Sequence, residues 1–141
     1  MIGPLSIYVL LLHGSIVVLA GLLSGFPYWL AIIKHKDEAV IHAWRVAHSF
    51  LIADGIFMLV VGLAIPHLAF GRQALQMLLW SMILAGYGFV YAFIIGALKG
   101  IPGLTARPYG LNTLLFAGHF IGALGSLLGI VILIYGFFEA M

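Results

Sequence analysis

A histidine and an aspartate lie six residues apart in a largely apolar stretch, residues 43–55. The His48 imidazole can ligate a metal, and the Asp54 carboxyl can bind or transfer a proton. Such groups are costly in hydrocarbon, so a membrane helix that carries them usually uses them. Six helical residues rotate the chain by about 600°, so the two side chains project about 120° apart and need not face one cavity. We therefore predict a functional site at His48, with Asp54 as a separate candidate.

The composition predicts the class of protein that holds these residues. Of 141 residues, 65% are hydrophobic and 7% are charged, whereas soluble domains typically carry about 25% charged residues. A chain this short cannot hide so much apolar surface, which predicts an all-α integral membrane protein in contact with lipid. The net charge of +2 comes from a few loop residues and predicts no nucleic-acid partner. The absence of cysteine excludes disulfides and thiolate ligation.

Four apolar segments are long enough for a bilayer core, which needs about 20 helical residues. They form one predicted domain, 1–141, with spans at about residues 5–25, 43–65, 73–98 and 112–138. Aromatic side chains favour the membrane interface, so we place the end of the first span near residues 26–29 and residues 30–41 at the surface. Pro66 ends the second span, and Asn112 or Thr113 is expected to cap the fourth.

Basic residues are unevenly divided between the two sides of the predicted bundle. The side that joins spans one to two and three to four carries Lys34, Lys36, Arg45, Lys99 and Arg107, and the other side carries Arg72. The positive-inside rule therefore predicts a multi-pass protein of the cell (inner) membrane, with the two basic loops cytoplasmic and both termini outside.

Polar side chains on all four spans fall at related depths. Counted along the helices, His48 lies about 7 Å, His119 about 12 Å and Asp54 about 16 Å from the basic side. His13 on the first span, and Tyr87 with Tyr91 on one face of the third, complete the group. This grouping predicts a polar site inside the bundle. The alternative is that each imidazole simply hydrogen-bonds a neighbouring helix.

Pairs of glycines four residues apart predict close helix packing. The pairs are Gly21 and Gly25 on the first span, and Gly118 and Gly122 with Gly125 and Gly129 on the fourth. Small residues at this spacing let two helix backbones approach closely. The pattern predicts contact between helices and no particular chemistry.

The chemistry available to His48 favours a haem. A metal site without cysteine needs several imidazoles and carboxylates at close range, but the candidates here differ in depth by about 10 Å. Haem needs one axial imidazole, an apolar surrounding and cations for its propionates. His48 lies below a basic surface where Arg45 or Arg107 would reach such propionates. His119 is a possible second axial ligand.

The same residues resemble a known family. Trp44, residues 47–49, Gly55, residues 13–14 and residues 103–105 resemble the styrene oxide isomerases, which are small four-helix membrane proteins. The related hydroxylaminobenzene mutases share a histidine, five residues and an amide–glycine pair on the second helix. The resemblance implies a homotrimer with haem b between subunits, His48 as axial ligand and Trp44 among the cofactor-binding residues. It also implies that ferric iron acts as a Lewis acid on an epoxide oxygen, and that an aldehyde forms by hydride shift.

The chain departs from the family at residues associated with the substrate. Asp54 stands where the family has asparagine, and Ala85 and Phe93 align with an aspartate and a tyrosine of the epoxide isomerases; Tyr91 lies two residues away. The resemblance implies an isomerase of a small hydrophobic, aromatic epoxide-like substrate, with Asp54 and Tyr91 as catalytic candidates, and the departures bear on the substrate and not on the haem site. Two alternatives are a haem electron carrier ligated by His48 and His119, and a cofactor-free transporter or assembly subunit in which Asp54 is a proton site.

Overall fold

The computed structural model describes residues 4–69 and 71–141 of the chain. Their regular elements are four α-helices and one short 3₁₀ turn. The helices are α1 (Pro4–Ile33), α2 (Glu38–Ala64), α3 (Arg72–Lys99) and α4 (Leu111–Ala140), and the 3₁₀ turn is Ile65–His67. Each helix is long and apolar enough to cross a membrane. The prediction of an all-α, four-helix membrane protein is therefore confirmed.

The first two helices extend beyond the predicted spans. Helix α1 continues through Pro27 to Ile33, and α2 begins at Glu38, so most of residues 30–41 are helical. The prediction was based on bilayer thickness, which limits the segment in hydrocarbon but not the length of a helix. An internal proline is tolerated in such helices because neighbouring groups can satisfy the freed carbonyl.

The predicted cap of α4 was wrong. Gly110 precedes the helix as its N-cap residue, without a side-chain capping bond. The Asn112 amide instead donates to the Arg107 carbonyl at 2.9 Å, and the Thr113 hydroxyl donates to the Ala106 carbonyl at 2.7 Å. Both side chains thus donate to main-chain carbonyls of the preceding loop. Such local bonds compete with helix capping by the same side chains.

The helices pack as two antiparallel pairs that meet along α3. Helix α1 packs mainly on α2 and helix α4 mainly on α3, while α3 also contacts α1 and α2. The core is apolar and includes Leu10, Val17, Leu51, Met58, Leu78 and Met82. The outer faces of α1 and α4 expose many large apolar side chains, as expected where lipid or another subunit replaces water.

Glycines mark the closest approaches between helices. A Cβ atom added to Gly21 would lie 2.7 Å from the Ile52 backbone nitrogen of α2, and one added to Gly118 would lie 2.9 Å from the Gly88 carbonyl oxygen of α3. Real Cβ atoms essentially never come so close. The contacts predicted from the glycine pairs are therefore confirmed, and Gly21 brings α1 directly against the helix that carries His48.

Candidate functional site around His48

The His48 imidazole points from α2 toward α1 and is hydrogen-bonded to the main chain there. Its Nδ1 lies 2.8 Å from the Gly21 carbonyl oxygen. A carbonyl can only accept, so Nδ1 carries the proton and donates it. In the neutral ring, Nε2 then presents its lone pair. A histidine that binds a metal usually donates its other ring N–H to a carbonyl or carboxylate in this way, so the hydrogen bond prepares Nε2 as a ligand.

Helix α1 provides a fitted surface for this ring. At Gly25 an added Cβ would lie 3.0 Å from His48 Cε1 and 3.1 Å from Nδ1, so only glycine leaves the ring undisturbed. The buried Ser24 hydroxyl donates to the same Gly21 carbonyl at 2.6 Å. The carbonyl oxygen thus accepts from both side chains, one for each lone pair. The ring orientation is therefore set by about one turn of α1, from Gly21 to Gly25, and by the absence of a side chain at Gly25.

An apolar groove lies on α1 beside the ring. It is lined by Leu22, Gly25, Phe26 and Trp29, is open to the outside and has a volume of about 400 Å³. Gly25 belongs both to the groove and to the surface on which His48 packs. His48 Nε2 has no hydrogen-bond partner among the described residues and is not enclosed. The groove is shallow and its lining is apolar.

A basic group lies one helical turn from His48, toward the α1–α2 loop. Arg45 Nε donates to the Tyr28 hydroxyl at 3.2 Å, and Arg45 Nη2 lies 3.3 Å from Glu38 Oε1. The Tyr28 ring lies 6.1 Å from the His48 ring, centroid to centroid. Arg45 is thus tied through Tyr28 to the same face of the α1–α2 pair as His48, and its contact with a cofactor stays a prediction.

Two further predicted cofactor residues are Trp44 and Arg107. Trp44 is buried in a small cluster with Ala47 of α2 and Ala97 of α3, and Tyr28 of α1 packs against that cluster. Arg107 lies exposed in the α3–α4 loop, 5.3 Å above the ring of Tyr109. A contact of either residue with a cofactor stays a prediction.

Asp54 lies on a different face of α2 from His48. It shares the face of Phe50, whose ring packs 4.8 Å from Phe89 of α3, and of Met58, which lies next to Gly86 of α3. Asp54 Oδ2 is buried, and no described residue donates a hydrogen bond to it. A buried carboxyl oxygen without a partner is costly. Asp54 thus carries an unsatisfied polar atom on the face of α2 whose neighbouring side chains, Phe50 and Met58, pack against α3.

The other polar side chains are dispersed around the bundle. His119 Nε2 donates to the Pro102 carbonyl at 3.2 Å, and its ring packs on Phe93. His13 Nδ1 lies 2.8 Å from the Tyr87 hydroxyl. Tyr91 packs over Gly118 of α4. Among the described residues no three His, Asp or Glu side chains gather, so the single polar site predicted from depth is not formed within this chain.

The structure adds Tyr28, Ser24 and the bare surface of Gly25 to the site. From the sequence alone, Tyr28 is predicted only as an interfacial aromatic, and Gly21 and Gly25 are predicted only as packing residues. A usable signal was present, because Gly21, Ser24, Gly25 and Tyr28 are spaced by three or four residues and so share one face of α1. Pairing that face with His48 required knowing the register of the two helices.

These features define a small four-helix membrane protein in which His48, hydrogen-bonded through Nδ1 to the α1 main chain, lies beside an open apolar groove. The model of the styrene oxide isomerase family matches residues 7–138, nearly the whole chain, and the chain belongs to that family. The predicted resemblance is thereby confirmed, and a family named for an isomerase supports an enzyme of that broad class. No curated protein and no solved structure gave a match.

Proposed function

We propose that this protein is a membrane isomerase that holds haem b through His48 and acts on a small, hydrophobic, epoxide-like substrate. The observation that carries the proposal is the His48 Nδ1–Gly21 carbonyl bond of 2.8 Å, which leaves Nε2 as the only ring nitrogen able to ligate iron. Family membership supports the isomerase class, and the apolar groove beside Gly25 fits a flat, apolar group.

Each residue then has a distinct task. His48 binds through Nε2, while the Gly21 carbonyl and the surface of Gly25 fix the plane of the ring. Arg45 would hold a propionate at the polar end. When bound, ferric haem would supply a Lewis acid for the substrate oxygen. The groove side chains Phe26 and Trp29 would keep water from that oxygen.

The proposed site lies between copies of the chain. The groove opens on the outer face of α1, and its apolar lining supports a neighbouring subunit as the opposite wall. Asp54 and Tyr91 are proposed to contact substrate, and within one chain they do not share the His48 face. A homotrimer would allow a neighbouring subunit to bring Tyr91 to the groove.

We also propose that the protein lies in the inner membrane, with the α1–α2 and α3–α4 loops on the cytoplasmic side.

Absorption spectra test this proposal. The protein purified in detergent is expected to show a Soret band that is lost or displaced in His48→Ala. The matched control is His42→Ala, an exposed histidine on the same helix, and its spectrum is expected to match the parent. An unchanged Soret band in His48→Ala would remove His48 as the ligand.

The same spectra separate the isomerase from the electron carrier. His119 is bonded to Pro102 and packed on Phe93, away from the α1 face of α2. We therefore expect His119→Ala to leave the spectrum unchanged and the ferric protein to be high-spin. Low-spin, six-coordinate haem that changes in His119→Ala would support the electron carrier instead. A colourless, folded protein would support the transporter or assembly subunit.

A further inference from the structure

Arg45 is bound by two side chains that differ in kind. Tyr28, on α1, accepts from Nε at 3.2 Å, and Glu38, at the start of α2, accepts from Nη2 at 3.3 Å. Arginine has five N–H donors, so three remain available. The Tyr28 contact fixes where the guanidinium lies, whereas the Glu38 contact supplies a negative charge.

The Glu38 contact is suited to replacement. The Glu38 side chain is 75% exposed and that of Arg45 is 48% exposed, and ion pairs this open contribute little to stability. Glu38 lies seven residues before Arg45, two turns along the same face of α2, so it approaches the guanidinium from the loop side. His48 lies three residues after Arg45, about one turn along α2 in the direction opposite to Glu38.

The Tyr28 contact is less easily replaced. The Tyr28 ring packs partly buried against the Trp44 cluster and lies 6.1 Å from the His48 ring. Its hydroxyl is therefore held in place by packing at the level of the candidate site. A residue held in this way can keep Arg45 on the His48 face whether or not Glu38 is bound.

We propose, resting on the proposed haem site, that Glu38 is a displaceable carboxylate that neutralises Arg45 until a carboxylate of the cofactor takes its place. In the same proposal Tyr28 is a positioning residue, which holds the guanidinium for that exchange. The Glu38 carboxylate and a propionate are chemically equivalent acceptors, so they compete for the same donors. Glu38 thus weakens cofactor retention, and Tyr28 strengthens it.

The experiment measures the rate of haem transfer from the detergent-purified holoprotein to excess apomyoglobin. Glu38→Gln is expected to slow haem release about two- to fivefold, because it removes the competing carboxylate of an exposed pair. Tyr28→Phe is expected to accelerate release about three- to tenfold while the Soret position is retained, because one hydrogen bond to a charged group is lost and His48 still binds.

Two controls make the outcome decisive. Asp37→Asn removes the same charge one residue away, where the side chain makes no capping bond, and is expected to leave the release rate unchanged. Protein reconstituted with haem dimethyl ester, which has no propionate carboxylates, is expected to show no difference between the parent and Glu38→Gln. Equal rates for haem b in the parent and Glu38→Gln, or equal effects of Asp37→Asn, would overturn the inference.

Failure of the proposed function has a different signature. If the protein takes up no haem, or if the His48→Ala variant has the same haem spectrum as the parent, the proposed function and this inference are both overturned. Haem uptake through His48 with release rates that do not depend on Glu38 and Tyr28 overturns only the inference.

Discussion

Replacing Gly25 with alanine should weaken cofactor binding without unfolding the protein. The new Cβ would lie 3.0 Å from His48 Cε1 and 3.1 Å from Nδ1, so the imidazole must shift by a few tenths of an ångström. The ring is tied to the Gly21 carbonyl at 2.8 Å, and the shift lengthens or bends that bond. Disturbing the outer partner of a metal-binding histidine typically costs about 10- to 100-fold in affinity, so we expect about a tenfold loss.

The stability of the haem-free protein should change very little. Alanine is favoured over glycine inside a helix by about 1 kcal/mol, which offsets the cost of about 1 kcal/mol for weakening one hydrogen bond. The thermal midpoint of the haem-free Gly25→Ala protein should therefore lie close to that of the parent. Loss of affinity at constant stability distinguishes a disturbed ligand from a disturbed fold.

The assay is titration of the haem-free protein in detergent, followed by the Soret absorbance. Gly71→Ala is the matched control, since a Cβ there meets nothing within 4 Å, and it should bind haem as the parent does. If Gly25→Ala binds haem with parental affinity and an identical spectrum, the ring is not held against α1 as described, and the reasoning fails.

Three other substitutions test the packing and the polar groups. Gly55→Ala should lower the thermal midpoint by several degrees, because its Cβ would lie 2.6 Å from the Val18 backbone nitrogen and forcing two helices apart costs about 1–3 kcal/mol. Asp54→Asn should raise the thermal midpoint of the substrate-free protein, because it replaces a buried carboxyl oxygen to which no described residue donates. The same substitution should lower isomerase turnover. Tyr87→Phe should cost about 0.5–1.5 kcal/mol through loss of the His13 bond and leave the haem spectrum unchanged; a changed spectrum would place this pair in the site.

The fold could be predicted because composition determines it almost alone. With 65% hydrophobic residues and few charges, the chain must contact lipid, and apolar segments of about 20 residues or more favour transmembrane helices. The helix ends were less predictable. Helix α1 passes Pro27 and continues to Ile33, because interfacial aromatics mark where hydrocarbon ends and not where hydrogen bonding ends.

The candidate site could be predicted only in part. His48 could be singled out because an imidazole is costly in a helix surrounded by hydrocarbon and is usually kept there for a function. The helical rotation of about 120° between His48 and Asp54 also predicted correctly that the two side chains lie on different faces of α2. The roles of Gly21 and Tyr28 could not be predicted, since they depend on how α1 and α2 are aligned along their axes. Depth along single helices also could not show that His13 and His119 bind other partners.

All of the hydrogen bonds and ring contacts described around His48 come from α1 and α2. The Gly21 carbonyl, the surface of Gly25 and the Tyr28–Arg45 pair belong to one hairpin. During biogenesis the ribosome completes this hairpin first, while the second half of the nascent chain is still being made. We expect the imidazole to acquire its orientation at that early step, before α3 and α4 are inserted and before another copy of the chain can add the opposite wall of the proposed site.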